Sequence, residues 1–248
     1  MPPCGMPENI TSSSSCCAGC IAVQDSRIKA GRTMVLEIKN LRKIGNGTIK
    51  DIYQHPVHAG QIIKTVQPAI VASDGGFARH GWLKRNLHQG IYRQFRREII
   101  QYLQLCKTHY GTGQFTFPVE TPCGLVATDH GLGLVTEKIT GPDGQGWTLE
   151  ALARDTPLQS RHYEALERFF DDCVRLHIVF GEVNIAGLMY TESRSEQPEF
   201  VLVDGIGEKL LIPIRAMSAR INGHYVRKVQ RRIMAQVAQL QVERGFLS

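Results

Sequence analysis

Asp204 closes a short apolar, β-branched run, Phe200 to Val203, and Gly205 follows it at once. A carboxylate at the tip of a buried strand, beside a flexible joint, is placed to hold a divalent metal at the mouth of a cleft. It is equally the first half of a common Asp-Gly turn. Two further charges bear on the choice. Lys64 lies inside "QIIKTV", residues 61–66, and an ammonium in a buried strand needs an anion. Glu98 stands between Phe95 and Tyr102, at the edge of an apolar stripe, where a carboxylate needs a cation. Neither has a nearer partner along the chain, so an ion pair between Lys64 and Glu98 is expected. Gly45-Asn46-Gly47 adds a turn whose backbone N–H groups can approach phosphate, since glycine has no Cβ. A lone G-x-G is also an ordinary hairpin. As a set, the glycine turn and the Lys64–Glu98 pair could hold phosphate oxygens, and Asp204 could hold a magnesium ion.

The elements that must carry these groups follow from pattern. "MVLEIKNLRKIGNGTIKDIYQHP" reads as strand, glycine turn and strand, and "QIIKTV" as the next strand. A helix is expected over residues 91–107, where Ile91, Phe95, Ile99, Tyr102, Leu103 and Cys106 recur at helical spacing. "CGLVATDHGLGLVTEKI" reads as two strands about a glycine turn, and "GPDGQG" as a linker. A short helix over 148–154 is capped by Thr148; a longer one starts at a Ser160 N-cap and runs to about Val179. Its apolar face holds Leu166, Phe169, Phe170, Cys173, Val174 and His177, the last read as a core histidine. "GLMYT" and "EFVLVDG" form a hairpin, and residues 214–243 a basic helix broken at Asn222-Gly223. The fold class is therefore α+β. Its N-lobe, residues 34–140, is strand-rich with one helix; its C-lobe, residues 141–248, is helical with a small hairpin. Two lobes on one linker make a cleft.

Composition bounds the rest. No apolar run approaches the ~20 residues of a membrane span, and no basic start with an apolar core marks a secretory signal. A cytoplasmic protein is expected. Seven cysteines, an odd count, argue against a disulfide framework, and Cys17-Ala-Gly-Cys20 lacks the second pair a zinc site needs. Residues 1–33, with "ITSSSSCCAGC", cannot build a core and read as a disordered leader, leaving Met1 or Met34 as the start. Net charge is +6, and it is concentrated: residues 79–97 hold six Arg/Lys and no acid, and 209–248 hold eight against Glu243. Basic surfaces at 79–97 and 220–232 suit an acidic protein or other anionic partner, or are solvated helix faces.

The order glycine turn, strand Lys, helix Glu, loop, Asp-Gly resembles the protein kinase signature. More closely, "LRKIGNGTIKDIYQHP", "QIIKTV", "RREIIQYLQL", "VDGIGEKLLIPI" and "RKVQRRIMAQ" resemble the YrbL family of bacterial kinase-like proteins named for the PhoP regulatory network, over residues 41–236. The resemblance implies a protein-kinase-like bilobal fold with ATP and Mg2+ as ligands. It implies Gly45, Gly47, Lys64 and Glu98 as nucleotide-binding residues and Asp204 as metal ligand. Lys50 stands where a third loop glycine would be, and Gly205-Ile206 replaces Phe-Gly after Asp204. In the catalytic loop, Phe180-Gly181-Glu182 takes the place of His-Arg-Asp. Glu182 then occupies the base position, Asn184 that of the loop lysine, and Gly187 that of the second metal ligand. A slipped register would make Asn184 that ligand instead. A misplacement of about 1 Å can cost ~100-fold in rate.

Three readings follow. One is a kinase-like regulatory protein, in effect a pseudokinase, with a degraded ATP/Mg2+ site and weak or no phosphotransfer. The second is an active phosphotransferase with Glu182 as base and Asp204 as metal ligand. The third is a basic interaction module without nucleotide binding. Nucleotide binding separates the third from the others, and phosphotransfer separates the first two.

Overall fold

A computed structural model describes residues 35–78, 89–208 and 213–247. The leader, the Cys17–Cys20 motif and residues 79–88 of the first basic stretch lie outside the described residues.

The first half is built on one antiparallel sheet. Strands β1 (Lys43–Asn46), β2 (Lys50–Gln54), β3 (Gln61–Val66), β4 (Pro122–Thr128) and β5 (Gly131–Glu137) lie in the order β1-β2-β3-β5-β4. Register sorts their side chains. Ile52 faces Lys64 and Tyr53 faces Ile63 across the β2–β3 pair, so alternate residues serve opposite faces of the sheet. Tyr53 and Ile63 join Ile38 and Val135 in one small core. Val66 and Leu134, on the other face, meet Ile91 and Phe95 at the start of helix α1 (Arg93–Thr108). The helix forms where its apolar residues recur, and that face pins it to the sheet.

The second half holds β6 (Trp147–Thr148), α2 (Leu149–Asp155), α3 (Ser160–Arg175), β7 (Leu188–Thr191), β8 (Glu199–Leu202), α4 (Ile214–Met217) and α5 (Ala219–Glu243). β6, β7 and β8 make a second antiparallel sheet. Phe169 and Phe170 on α3, Tyr190 and Phe200 on the hairpin, and Val226 and Ile233 on α5 are buried together in the largest core. Each such side chain contributes roughly 1.5–3 kcal/mol on burial. The chain is thus α+β: an antiparallel sheet with one helix, then a mainly helical part with a hairpin.

More than the linker joins the halves. The Glu120 N–H donates to the Leu202 carbonyl and the Leu202 N–H to Pro118, each at 3.0 Å. Residues 118–120 thereby pair alongside β8, and the described residues form one compact unit. Phe117, Val119 and Leu105 contribute to the core of the second half.

Three expected boundaries shift: helix α3 is capped by Gln159, in a capping box with His162, and not by Ser160. Helix α3 ends at Arg175 and not near Val179. His177 then adopts φ 52°, a left-handed turn that swings Ile178, Val179 and Phe180 into the core. His177 is consequently no helix-face residue; its Nε2 hydrogen-bonds the Arg215 carbonyl oxygen at 2.8 Å. Helix α5 runs unbroken through Asn222-Gly223. The Asn222 amide donates to the Ile178 carbonyl at 2.9 Å, and Gly223 lies against Val174. The interruption falls at Ser218, whose hydroxyl accepts from the Ile221 N–H and caps α5. Among the described residues no helix is long and apolar enough to cross a membrane.

Candidate functional site: a cleft lined by apolar and charged residues

A cavity of about 940 Å³ opens between the first sheet and the β7–β8 hairpin. Its roof is the Gly45–Gly47 turn with β2 and β3, its side the end of β5, and its floor residues 184–189 with Asp204. Its lining includes the apolar side chains of Ile44, Ile52, Ile62, Ile139 and Met189 and the charged ones of Lys50, Lys64, Glu120 and Asp204. A lining that mixes apolar side chains with lysines suits a ligand with a flat base and an anionic tail.

The charged end follows from register. Lys50 faces Val66 and Ile52 faces Lys64, so both lysines fall on the cleft side of the sheet, one diagonal apart. Their partners differ from the expected pair. Glu98, on α1, binds Lys50, with Nζ 2.6 Å from Oε1, and the same ammonium lies 3.1 Å from Asp204 Oδ1. Lys64 instead pairs with Glu120 and donates to the Val203 carbonyl at 2.8 Å. The Lys64–Glu98 ion pair is therefore replaced by two pairs. The physical reason is position along the strand: Lys50, at the start of β2, reaches α1, while Lys64 lies over residues 120 and 203.

Burial alone would lower the Lys50 pKa. The charges of Glu98 and Asp204, and the Glu98 hydrogen bond, reverse this and hold it above the ordinary lysine value. Glu120 shows the opposite balance. Its burial pushes the carboxyl up to about 7, against the pull of Lys64. For Asp204, loss of solvent raises the pKa, but Lys50, with Lys64 and the Gly205 N–H, more than offsets it and holds the carboxyl below its usual range.

Asp204 follows β8 by two residues. The Val203 N–H donates to the Gly187 carbonyl at 2.9 Å, which sets Asp204 beside Gly187. Gly205 (φ 81°) and Gly207 (φ 86°) are required there, because a Cβ on Gly205 would stand 2.4 Å from the Glu182 carbonyl oxygen. The strand-like contact of Phe180 with Ile206 then locks this segment to the 180–182 turn. The Asp-Gly pair is thus a turn in its backbone and also brings a carboxylate to the cleft.

The other candidate residues fall out unevenly. Gly45 and Gly47 line the cavity, but the Gly47 N–H is taken by the Lys50 carbonyl at 2.8 Å. Asn184 lines the cavity and its Oδ1 accepts from the Gly187 N–H at 2.9 Å, capping a short turn. Glu182 is exposed and is not among the cavity-lining residues. On α5, Arg227 pairs with Asp171 and Arg232 donates to the Val183 carbonyl, so part of that basic surface is used within the fold.

A metal ion would find few protein ligands. Among the described residues no group of three or more His, Cys, Asp or Glu side chains could hold one. The Asp204 side chain is 67% exposed, and Gly187 leaves open the space where a side chain would meet it, a Cβ there lying 3.8 Å from that of Asp204. That fits magnesium, which binds through one or two carboxylates together with phosphate oxygens.

Two cavity residues and one neighbouring tie were not singled out by the sequence pattern. Lys50 was visible as a strand lysine in phase with Ile52, on the same face as Lys64 once antiparallel pairing is drawn. Glu120 was visible as an acid beside Phe117 and Val119. Arg194, in the β7–β8 turn, binds Glu137 through two nitrogens at 3.1 and 2.9 Å and also donates to the Val119 carbonyl. No local pattern marks it, because its partners come from the other half.

Comparison with known proteins gives three findings. No curated protein matches. A solved structure of the CAK complex of Chaetomium thermophilum bound to ATP-gamma-S is similar at 17% identity and TM-score 0.42, over 66% of this chain and 45% of that one. This chain thus spans less than half of that relative's length. The family model described as PhoP regulatory network protein YrbL matches residues 36–238, most of the chain. The chain belongs to the YrbL family.

Proposed function

We propose that this chain is a kinase-like regulatory protein that binds ATP with Mg2+ in the cleft and transfers phosphate weakly or not at all. The observation that carries this reading is the Glu98–Lys50–Asp204 chain of charges, two members of which line a cavity that also presents Ile52, Ile62 and Met189. An ammonium braced by a buried carboxylate and touching an exposed one is suited to a triphosphate and its cation. Ile52, Ile62 and Met189 would hold the base, Lys50 phosphate oxygens, and Asp204 the metal, which would neutralise phosphate charge when bound. The regulatory part rests on the family's description.

Weak transfer rests on the floor. A general base must come within hydrogen-bond reach of the proton it takes. Glu182 lies outside the cavity lining, and Gly187 brings no side chain to the metal. The arrangement thus favours binding over transfer.

The test is a thermal-shift titration with ATP, with and without magnesium. Stabilisation that requires both is expected; at ~100 times the dissociation constant it amounts to roughly 2.7 kcal/mol. Asp204→Asn should abolish the magnesium-dependent part while leaving the apoprotein folded. No response of the parent protein to either ligand would leave the basic interaction module as the standing reading.

A further inference from the structure

We infer that the two buried lysines divide the work: Lys50, from the strand after the glycine turn, binds the phosphates, whereas Lys64, on the next strand, is a structural clamp. This rests on the nucleotide reading above and concerns which residue serves it.

Three observations point the same way. First, Lys64 is already occupied. It is bound to Glu120 and to the Val203 main chain, and the side chains of the pair are 3% and 2% exposed. A ligand reaching it would have to replace a buried ionic contact and free a carbonyl. Its visible effect is to tie β3 to the segment just before Asp204.

Second, Lys50 is held but not closed off. Glu98 fixes its ammonium from the α1 side, leaving it 3.1 Å from Asp204, whose side chain is 67% exposed. An anion carrying a cation to Asp204 would meet Lys50 without disturbing Glu98. The Asp204 contact made now is the one a metal would take over.

Third, chain position favours it. Lys50 begins β2 immediately after the 45–47 turn and lines the cavity together with that turn. Phosphates lying under the turn reach Lys50 first. A lysine there also has a cost to any glycine-rich loop, since Lys50 stands where the pattern would want another glycine. That exchange makes sense if the cation is the gain.

Because removing either lysine alone strands a buried carboxylate, charge-balanced pairs make the cleaner test. Lys50→Met/Glu98→Gln and Lys64→Met/Glu120→Gln are compared with the parent by thermal shift with MgATP. The first should melt near the parent yet bind MgATP about 10- to 100-fold more weakly. The second should melt lower and keep the MgATP-dependent rise. A rise kept by the first pair, or lost by the second, overturns the division. A second measurement needs no variant. The parent is treated with an acyl phosphate of ATP, whose acyl carbon is attacked by a nearby lysine amine, forming an amide and releasing ATP. Peptide mapping should place the acyl group on Lys50; its appearance on Lys64, or on neither in a protein that binds MgATP, defeats the inference. A parent that shows no MgATP shift defeats the nucleotide reading itself, which is a separate outcome.

Discussion

The two lysines on the cleft face of the first sheet are diagonal neighbours with the same chemistry and opposite surroundings. Lys64 and Glu120 form a closed pair: both side chains are almost fully enclosed, and a main-chain carbonyl takes a further bond. Lys50 and Glu98 form an open pair: two buried groups in contact with an exposed third, Asp204. The difference teaches that burial of a charge does not by itself mark a binding site. What matters is whether a member of the network stays open to solvent: Lys64 and Glu120 border the cavity yet are 3% and 2% exposed, whereas Asp204 is 67% exposed. A closed pair is a structural tie whose loss is felt in folding. An open one can exchange a partner for a ligand.

The largest effect should come from opening the closed pair. Lys64→Met leaves Glu120 buried without its cation, and breaking a buried pair from one side costs about 3–5 kcal/mol. For a domain of this size that lowers the melting temperature by roughly 10 °C. Circular dichroism melts at about pH 9, above the Glu120 value of about 7 and so with the parent pair ionised, measure it directly. A Lys64→Met protein that melts with the parent would show that the pair is no tie at all.

A smaller effect should follow from protons. Burial raises the Glu120 carboxyl from 4.5 to about 7, so in this window the folded chain keeps a proton that the unfolded chain has released. Stability therefore falls as pH rises from about 4.5 to about 7, by at most ~3 kcal/mol, and Glu120 adds no further slope above that. Glu120→Gln carries no titrating group and should flatten this limb. Denaturant midpoints across the window check it; parallel parent and variant curves would mean that Glu120 is ionised throughout, with Lys64 outweighing burial. The open pair contributes nothing of this kind to the same limb through Asp204, whose carboxyl is held low and titrates at more acid pH.

The same contrast explains what was legible in the sequence. Helix α1 was readable because Phe95, Tyr102 and Cys106 repeat at helical spacing, and the hairpin because short apolar runs flank a polar turn. Such features are local. The charged residues were legible one at a time: Lys64, Glu98 and Asp204 each looked out of place; Lys64 and Asp204 line the cleft, and Glu98 lies behind it on Lys50. Their pairing was not legible, since it depends on a one-step diagonal in register between β2 and β3 and on where residue 120 crosses the sheet. Asn222-Gly223 misled for a related reason. The pair reads as a breaker, but the buried bond from Asn222 to Ile178, made across the fold, keeps it helical. His177 likewise continued a helical pattern that the chain abandons at Arg175 so that the next three residues can be buried.

The smallest effect should come from the glycines above the open pair. Neither Gly45 nor Gly47 has a positive φ, and a Cβ on either would make only ordinary contacts, 3.6 Å from an Ile52 methyl and 3.7 Å from the Lys50 carbonyl oxygen. The backbone does not need glycine there, so Gly45→Ala/Gly47→Ala should leave stability within about 1 kcal/mol of the parent, with a slight gain from reduced freedom of the unfolded chain. Any requirement for glycine must then come from a ligand under the turn. The Gly47 N–H is already used by Lys50, which limits what the turn can offer a phosphate. Lys50 should therefore carry more of the affinity than the turn, and the double alanine should weaken MgATP by no more than about threefold, a fraction of a charged hydrogen bond. Titration calorimetry of the two proteins decides it. A loss beyond tenfold would show that the turn rearranges to cradle the phosphates, and would move the weight of binding from the lysine to the loop.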